Sequence, residues 1–130
     1  MSTVLLIDDS KFLRRANELS LARAGYGIIT ASDGEEGLRL AREKKPDVIV
    51  LDMMLPKLGG ADLLQLIKGD PLTSKIPVIV LSSLSQKNEQ KLMAAGAAAY
   101  LEKSSLALEQ QSSELSKMIS KILGSVRATV

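Results

Sequence analysis

Four short apolar segments of this chain each lead into residues that could take part in phosphate chemistry. They are Val4–Ile7 before Asp8 and Asp9, Val48–Leu51 before Asp52, Val78–Leu81 before Ser82, and Tyr100–Glu102 before Lys103. In open α/β sheets the carboxyl ends of parallel strands lie at one edge, and ligands bind there. If the four segments are parallel strands, three carboxylates, one hydroxyl and one ammonium group converge on a single site.

The three aspartates predict a site for a divalent cation. Carboxylates that lie close together in a partly buried pocket repel one another, and without compensation they would bind protons. A divalent cation removes this problem by its positive charge, and Mg²⁺ favours hard oxygen ligands, as does Mn²⁺. Taken alone, Asp8 and Asp9 could instead cap a helix or form a turn. The metal interpretation therefore depends on Asp52 lying beside them.

Asp52 is also the candidate nucleophile, since carboxylates can form covalent aspartyl-phosphate intermediates. Attack on a phosphoryl group requires the negative charges to be shielded, which a bound metal would do. Lys103 would supply a mobile positive charge for a phosphoryl oxygen, and the hydroxyl of Ser82 would donate a hydrogen bond. Considered singly, Asp52 could be only a metal ligand, while Ser82 and Lys103 could be ordinary surface residues.

Composition excludes several other classes of site. The 130 residues include no cysteine and no histidine, which rules out disulfides, zinc fingers and Ser–His–Asp triads. The net charge of +2 comes from scattered basic residues, whereas nucleic-acid binding requires a concentrated basic face. No apolar run approaches the ~20 residues of a membrane span, and no secretory signal is visible. We expect a cytoplasmic protein that binds neither membranes nor nucleic acid directly.

The order of predicted elements indicates an α/β fold. Strands are predicted over residues 3–8, 27–31, 47–51, 77–81 and 98–101, with five helices between and after them. Helix one follows a Ser10 cap, with Leu13, Leu19 and Leu21 as its apolar positions, and helix two follows an Asp33 cap. Helices three, four and five are predicted over 61–69, 85–95 and 105–123. One domain over residues 1–124 would then precede a short tail, 125–130.

The strands predict a doubly wound parallel sheet of order 2-1-3-4-5. Strands one, three and four are apolar on both faces, as strands covered by helices should be. Right-handed crossovers restrict the possible arrangements, and the expected switch point lies between strands one and three. That arrangement would bring Asp9 and Asp52 together.

These motifs closely resemble the receiver domain of two-component response regulators, of the single-domain, chemotaxis-regulator type. The resemblance covers nearly the whole chain, and its four motifs occur in the order and spacing of the family. They are Val4–Ser10, Asp47–Pro56, Ile76–Ser83 and Ala95–Lys103. The implied fold is flavodoxin-like, a (βα)5 sheet.

The resemblance implies a phosphorylation switch. Asp52 would accept a phosphoryl group from the phosphohistidine of a sensor histidine kinase or a histidine phosphotransfer protein. Mg²⁺ would be held by Asp9, Asp52 and the backbone carbonyl of Met54, with Asp8 bound through water. Lys103 would contact Asp52 and then the phosphoryl group.

The implied conformational change runs from the phosphate to a protein-binding surface. Ser82 would swing toward the phosphate, and Tyr100 would rotate into the space that Ser82 leaves. The face formed by helix four, strand five and helix five would then bind a downstream protein. Such a chain is a self-phosphorylating and self-dephosphorylating switch rather than an enzyme with turnover, and we expect a monomer or weak dimer.

The residue after Lys103 departs from the family pattern. Ser104 follows Lys103 where the family usually has proline, so a trans peptide bond is expected there.

A pseudo-receiver, acting as a phosphorylation-independent interaction module, is one alternative, although it would usually lack a key residue that this chain has. An aspartate-dependent phosphate hydrolase is another, but it would require a second aspartate where Met54 stands. We expect a stand-alone receiver, because the chain begins with Met and little sequence follows helix five.

Overall fold

Five parallel strands form one sheet in the order β2-β1-β3-β4-β5. The computed structural model of the protein describes residues 2–52, 59–82, 93–102 and 108–128. The strands are β1 (Thr3–Ile7), β2 (Gly27–Ala31), β3 (Val48–Asp52), β4 (Val78–Ser82) and β5 (Ala99–Glu102). The predicted fold class and strand order are confirmed, and each predicted strand is correct to within one residue at either end.

The register aligns the carboxyl ends of the strands at one edge. Ile7 pairs with Leu51 in the β1–β3 ladder, and Asp52 pairs with Leu81 in the β3–β4 ladder. On the other side of β1, the Asp8 N–H donates to the Ala31 carbonyl at 3.1 Å. The residues that follow β1 and β3 therefore leave the sheet side by side.

Four helices are described: α1 (Lys11–Arg23), α2 (Gly34–Lys44), α3 (Gly60–Gly69) and a C-terminal helix (Leu108–Ala128). Both predicted caps are confirmed. The Ser10 side chain accepts a hydrogen bond from the Leu13 N–H at 3.3 Å, and Asp33 accepts one from the Glu36 N–H at 2.9 Å. Each cap satisfies a backbone donor that a helix start would leave without a partner. Most of the predicted fourth helix, 85–95, lies outside the described residues.

The two faces of the sheet carry separate hydrophobic clusters. Side chains alternate across a strand, so β1 sends Leu5 and Ile7 to one face and Val4 and Leu6 to the other. Helices α2 and α3 cover the first face, and their buried residues there are Ala41, Leu63, Leu64 and Ile67. Helix α1 and the C-terminal helix cover the second face, with Leu21, Leu115, Ile119 and Leu123. The C-terminal helix thus buries one side against the sheet.

Two details of the helix predictions are wrong. Leu19 was expected on the buried side of α1 but is 42% exposed, while Leu21 is fully buried. Two positions correspond to about 200° around a helix, so both cannot face the core, and Asn17, one turn before Leu21, is buried instead. The C-terminal helix also continues to Ala128 rather than ending at Leu123. A glycine such as Gly124 costs only about 1 kcal/mol inside a helix, and no proline follows it.

None of the helices in the described ranges combines the length and the apolarity that crossing a bilayer requires.

Candidate metal site at the carboxyl edge of the sheet

Three carboxylates meet at the carboxyl ends of β1 and β3. Asp8, Asp9 and Asp52 each offer an oxygen, and these oxygens all lie within 4.8 Å of one another. Asp8 is fully buried and Asp52 is 4% exposed, whereas Asp9 faces solvent. The predicted convergence of the three aspartates is therefore what the structure shows, and it results from the adjacency of β1 and β3.

The turn between β1 and α1 is held by a set of local hydrogen bonds. The Ser10 N–H donates to Asp8 Oδ1 at 2.9 Å, while the Ser10 hydroxyl caps α1. The Asp8 carbonyl accepts a hydrogen bond from Arg14 Nη1 at 2.8 Å. Together with the bond from the Asp8 N–H to Ala31, these contacts fix the main chain of Asp8 on both sides.

Arg14 is not among the site residues predicted from the sequence. One signal could have pointed to it: a cation in the first turns of a helix lies at the unfavourable end of the helix dipole. No acidic residue occupies the first turn of α1 to offset this charge. An arginine at such a position, six residues after Asp8, suggests a role outside the helix itself.

The carboxylate cluster fits a divalent cation with a preference for oxygen ligands. Mg²⁺ binds oxygens at 2.0–2.1 Å, so ligands on opposite sides of one ion lie about 4.2 Å apart. The 4.8 Å limit on the separations of Asp8, Asp9 and Asp52 is close to that span. Two of the three groups are buried, and like charges in such a position repel strongly unless a cation neutralises them. The donor set thus suits Mg²⁺, or Mn²⁺, at this edge.

The other predicted site residues are described only in part. β4 lies next to β3, the strand of Asp52, and ends at Ser82. The backbone of Ser82 pairs with Glu102 of β5. Tyr100 pairs with Val80 and is partly buried, packed against the cluster that α2 and α3 cover. Met54, Lys103 and Ser104, which the sequence analysis also singled out, lie outside the described residues.

Comparison with known proteins gives a family match over most of the chain. The model of the response regulator receiver domain matches residues 4–117. A receiver domain protein from Clostridium thermocellum superposes with a TM-score of 0.86 at 30% identity, covering 100% of both chains. The chemotaxis response regulator CheY4 of Vibrio cholerae gives a TM-score of 0.80 at 30% identity, covering 90% of this chain and 98% of that one.

Curated relatives are longer proteins. The transcriptional regulatory protein AfsQ1 of Streptomyces coelicolor is 45% identical over 83 residues, which is 64% of this chain and 36% of the relative. The transcriptional regulatory protein KdpE of Mycobacterium tuberculosis is 42% identical over 104 residues, or 79% of this chain and 45% of the relative. The chain spans between about a third and a half of the length of these two relatives.

Proposed function

Because the chain belongs to the response regulator receiver domain family, we propose that it is a phosphoryl-accepting switch whose acceptor is Asp52. The observation that supports this most is the meeting of Asp8, Asp9 and Asp52 within 4.8 Å at the carboxyl edge of the sheet. A receiver that had lost phosphorylation would have no need to keep three mutually repelling carboxylates, two of them buried. The cluster therefore favours a working site over a pseudo-receiver.

In this proposal a carboxylate oxygen of Asp52 attacks the phosphorus of a phosphohistidine. The bond from phosphorus to nitrogen breaks as the bond to oxygen forms, and the imidazole leaves. Asp8, Asp9, Asp52 and the backbone carbonyl of Met54 would be the groups that hold Mg²⁺. When bound, the ion supplies positive charge that shields the carboxylates and the phosphoryl oxygens. Lys103 and Ser82 contact the transferred group, as an ammonium charge and a hydroxyl donor respectively.

Phosphorylation would bias a two-state element near β4 and β5. A phosphoryl group adds about −1.5 to −2 charges at neutral pH. Shifting a population from 1:99 to 99:1 requires about 5.5 kcal/mol of difference in how the two states interact with that group. Contacts of Ser82 and Lys103 with the phosphate would supply this difference in free energy. Tyr100 would rotate into the space that Ser82 leaves. The responding surface is the face of predicted helix four, β5 and the C-terminal helix.

The proposed partners follow from this chemistry. A sensor histidine kinase or histidine phosphotransfer protein donates the phosphoryl group, and a downstream protein recognises the switched face. The receiver itself contacts no nucleic acid, although some relatives are named transcriptional regulators. We place the protein in the cytoplasm as a monomer or weak dimer.

The test is labelling by a small phosphodonor. The protein is incubated with acetyl phosphate and Mg²⁺, and its intact mass is followed with time. We expect one added phosphoryl group, none in excess EDTA, and none in Asp52→Ala. Asp62→Ala, which removes an exposed carboxylate from the start of α3, is the matched control and should label normally. Labelling that persists in Asp52→Ala would refute the proposal, and a complete lack of labelling would favour the pseudo-receiver.

A further inference from the structure

A single arginine fixes the peptide that links two of the three clustered aspartates. Arg14 Nη1 donates to the Asp8 carbonyl at 2.8 Å, in a partly buried position. That carbonyl and the N–H of Asp9 belong to one planar peptide unit. Whatever holds the Asp8 carbonyl therefore also sets the direction in which the main chain of Asp9 leaves β1.

Asp9 needs such support more than its two neighbours do. Asp8 and Asp52 are buried, and the packing around them restricts their side chains. Asp9 is exposed, so its carboxylate is positioned mainly by its own backbone. An ion site binds more tightly when each ligand is already oriented, because less conformational freedom is lost on binding.

We propose that Arg14 is a positioning residue for the carboxylate site. By donating to the Asp8 carbonyl, it orients the Asp9 carboxylate toward Asp8 and Asp52 and thereby raises the affinity for a divalent cation. The inference rests on the proposed function, since it concerns the same site.

Hydrogen bonding and charge predict opposite effects at this position. A guanidinium beside a cation site repels the incoming ion, so removal of its charge alone should tighten binding. Removal of the hydrogen bond should weaken binding. The neighbouring Arg15 separates these effects, because it is 67% exposed and pairs with Glu18 of the same helix at 2.9 Å.

The experiment is calorimetric titration of MgCl2 into the full chain and three variants. We expect Arg14→Met to weaken Mg²⁺ binding about tenfold, the lower end of the range for groups that support metal ligands. Arg14→Lys keeps a donor and should bind within about threefold of the parent, at the modest loss expected when one hydrogen bond is imperfectly restored. Arg15→Met, which removes the same charge, should bind as tightly as the parent or slightly more tightly.

Each possible outcome has a defined meaning. Equal or tighter binding by Arg14→Met would overturn the inference while leaving the proposed function intact. Binding by Arg14→Lys as weak as that of Arg14→Met would also overturn it, because lysine can still donate. A parent chain that binds no Mg²⁺ would overturn both proposals.

A second measurement on the parent chain does not depend on any variant folding. In ¹⁵N NMR spectra, the side-chain N–H groups of Arg14 should exchange with water more slowly than those of Arg15, because only Arg14 is bonded to a partly buried carbonyl. Equal exchange rates for the two arginines would contradict the proposed contact in solution. Unfolding midpoints of all variants show whether any loss of affinity reflects loss of the fold.

Discussion

Asp52→Asn should make the metal-free protein more stable while weakening its response to Mg²⁺. The substitution keeps the shape of the side chain but removes one of three negative charges whose oxygens lie within 4.8 Å of one another. Asp8 and Asp52 are both buried, so solvent screens their repulsion poorly. Proteins commonly keep functional sites that lower their stability, and a cluster of like charges that a cation must neutralise is such a site.

Coulomb's law sets the size of the effect. Two unit charges 4.8 Å apart repel by about 3.5 kcal/mol at an effective dielectric constant near 20, and by about 0.9 kcal/mol in bulk water. Relaxation of the site and the Lys103 ammonium, which the proposal places at Asp52, reduce the first figure, so we expect Asp52→Asn to raise the free energy of unfolding by about 1–3 kcal/mol. Asp9→Asn removes an exposed charge and should raise it by at most about 1 kcal/mol.

The assay is urea unfolding followed by circular dichroism, in EDTA and in saturating MgCl2. At a Mg²⁺ concentration 100 times the dissociation constant, the parent should gain about 2.7 kcal/mol. Asp52→Asn should gain less, so the difference between the two proteins should shrink or reverse. Glu43→Gln, on the exposed surface of α2, is the control and should change either value by less than about 0.5 kcal/mol. Equal stabilities of parent and Asp52→Asn in EDTA, or equal gains in Mg²⁺, would show that repulsion among the three carboxylates does not destabilise the metal-free protein.

Three further predictions concern the scaffold. Asp33→Ala removes the cap of α2 and should lower the free energy of unfolding by about 1 kcal/mol, measured by urea unfolding. Gly96→Ala places a side chain at φ +110°, with its Cβ 2.9 Å from a side-chain carbon of α3, and should lower the melting temperature by several degrees. The hydrogen bond from the Leu72 N–H lowers the pKa of Asp70, and the hydrogen bond from the Arg42 side chain lowers it further. The resulting stabilisation is present above the unfolded pKa of about 3.9 and is lost as the pH falls below it. In Asp70→Asn the free energy of unfolding should therefore decrease less steeply as the pH is lowered. Parallel pH curves for parent and variant would contradict that assignment.

The sheet and the carboxylate cluster were predictable because they depend on short-range patterns and topology. Apolar runs marked β1, β3 and β4, and the rule that parallel strands end at one edge then brought Asp9 and Asp52 together. The caps at Ser10 and Asp33 were predictable for a similar reason, since a cap involves residues only three positions apart.

Contacts that depend on tertiary packing were not predictable. Nothing in the sequence pattern shows that Lys68 passes under Gly96 and donates to the carbonyls of Ser74 and Ile76, at 3.2 and 2.7 Å. Burial there lowers the pKa of Lys68. The bond from Arg14 to the Asp8 carbonyl is of the same kind, because it depends on the path of a long side chain rather than on spacing alone.

The position of the phosphoryl group decides most sharply whether Asp52 is the acceptor. After phosphorylation with acetyl phosphate and Mg²⁺, the protein is reduced with borohydride, which converts an acyl phosphate to an alcohol, and is mapped by peptide mass spectrometry. We predict that Asp52 is the residue that is reduced, and that no reduced product forms when EDTA is present during phosphorylation. Modification at Asp8 or Asp9 in place of Asp52, or reduction at Asp52 regardless of Mg²⁺, would show that Asp52 is not a metal-dependent phosphoryl acceptor.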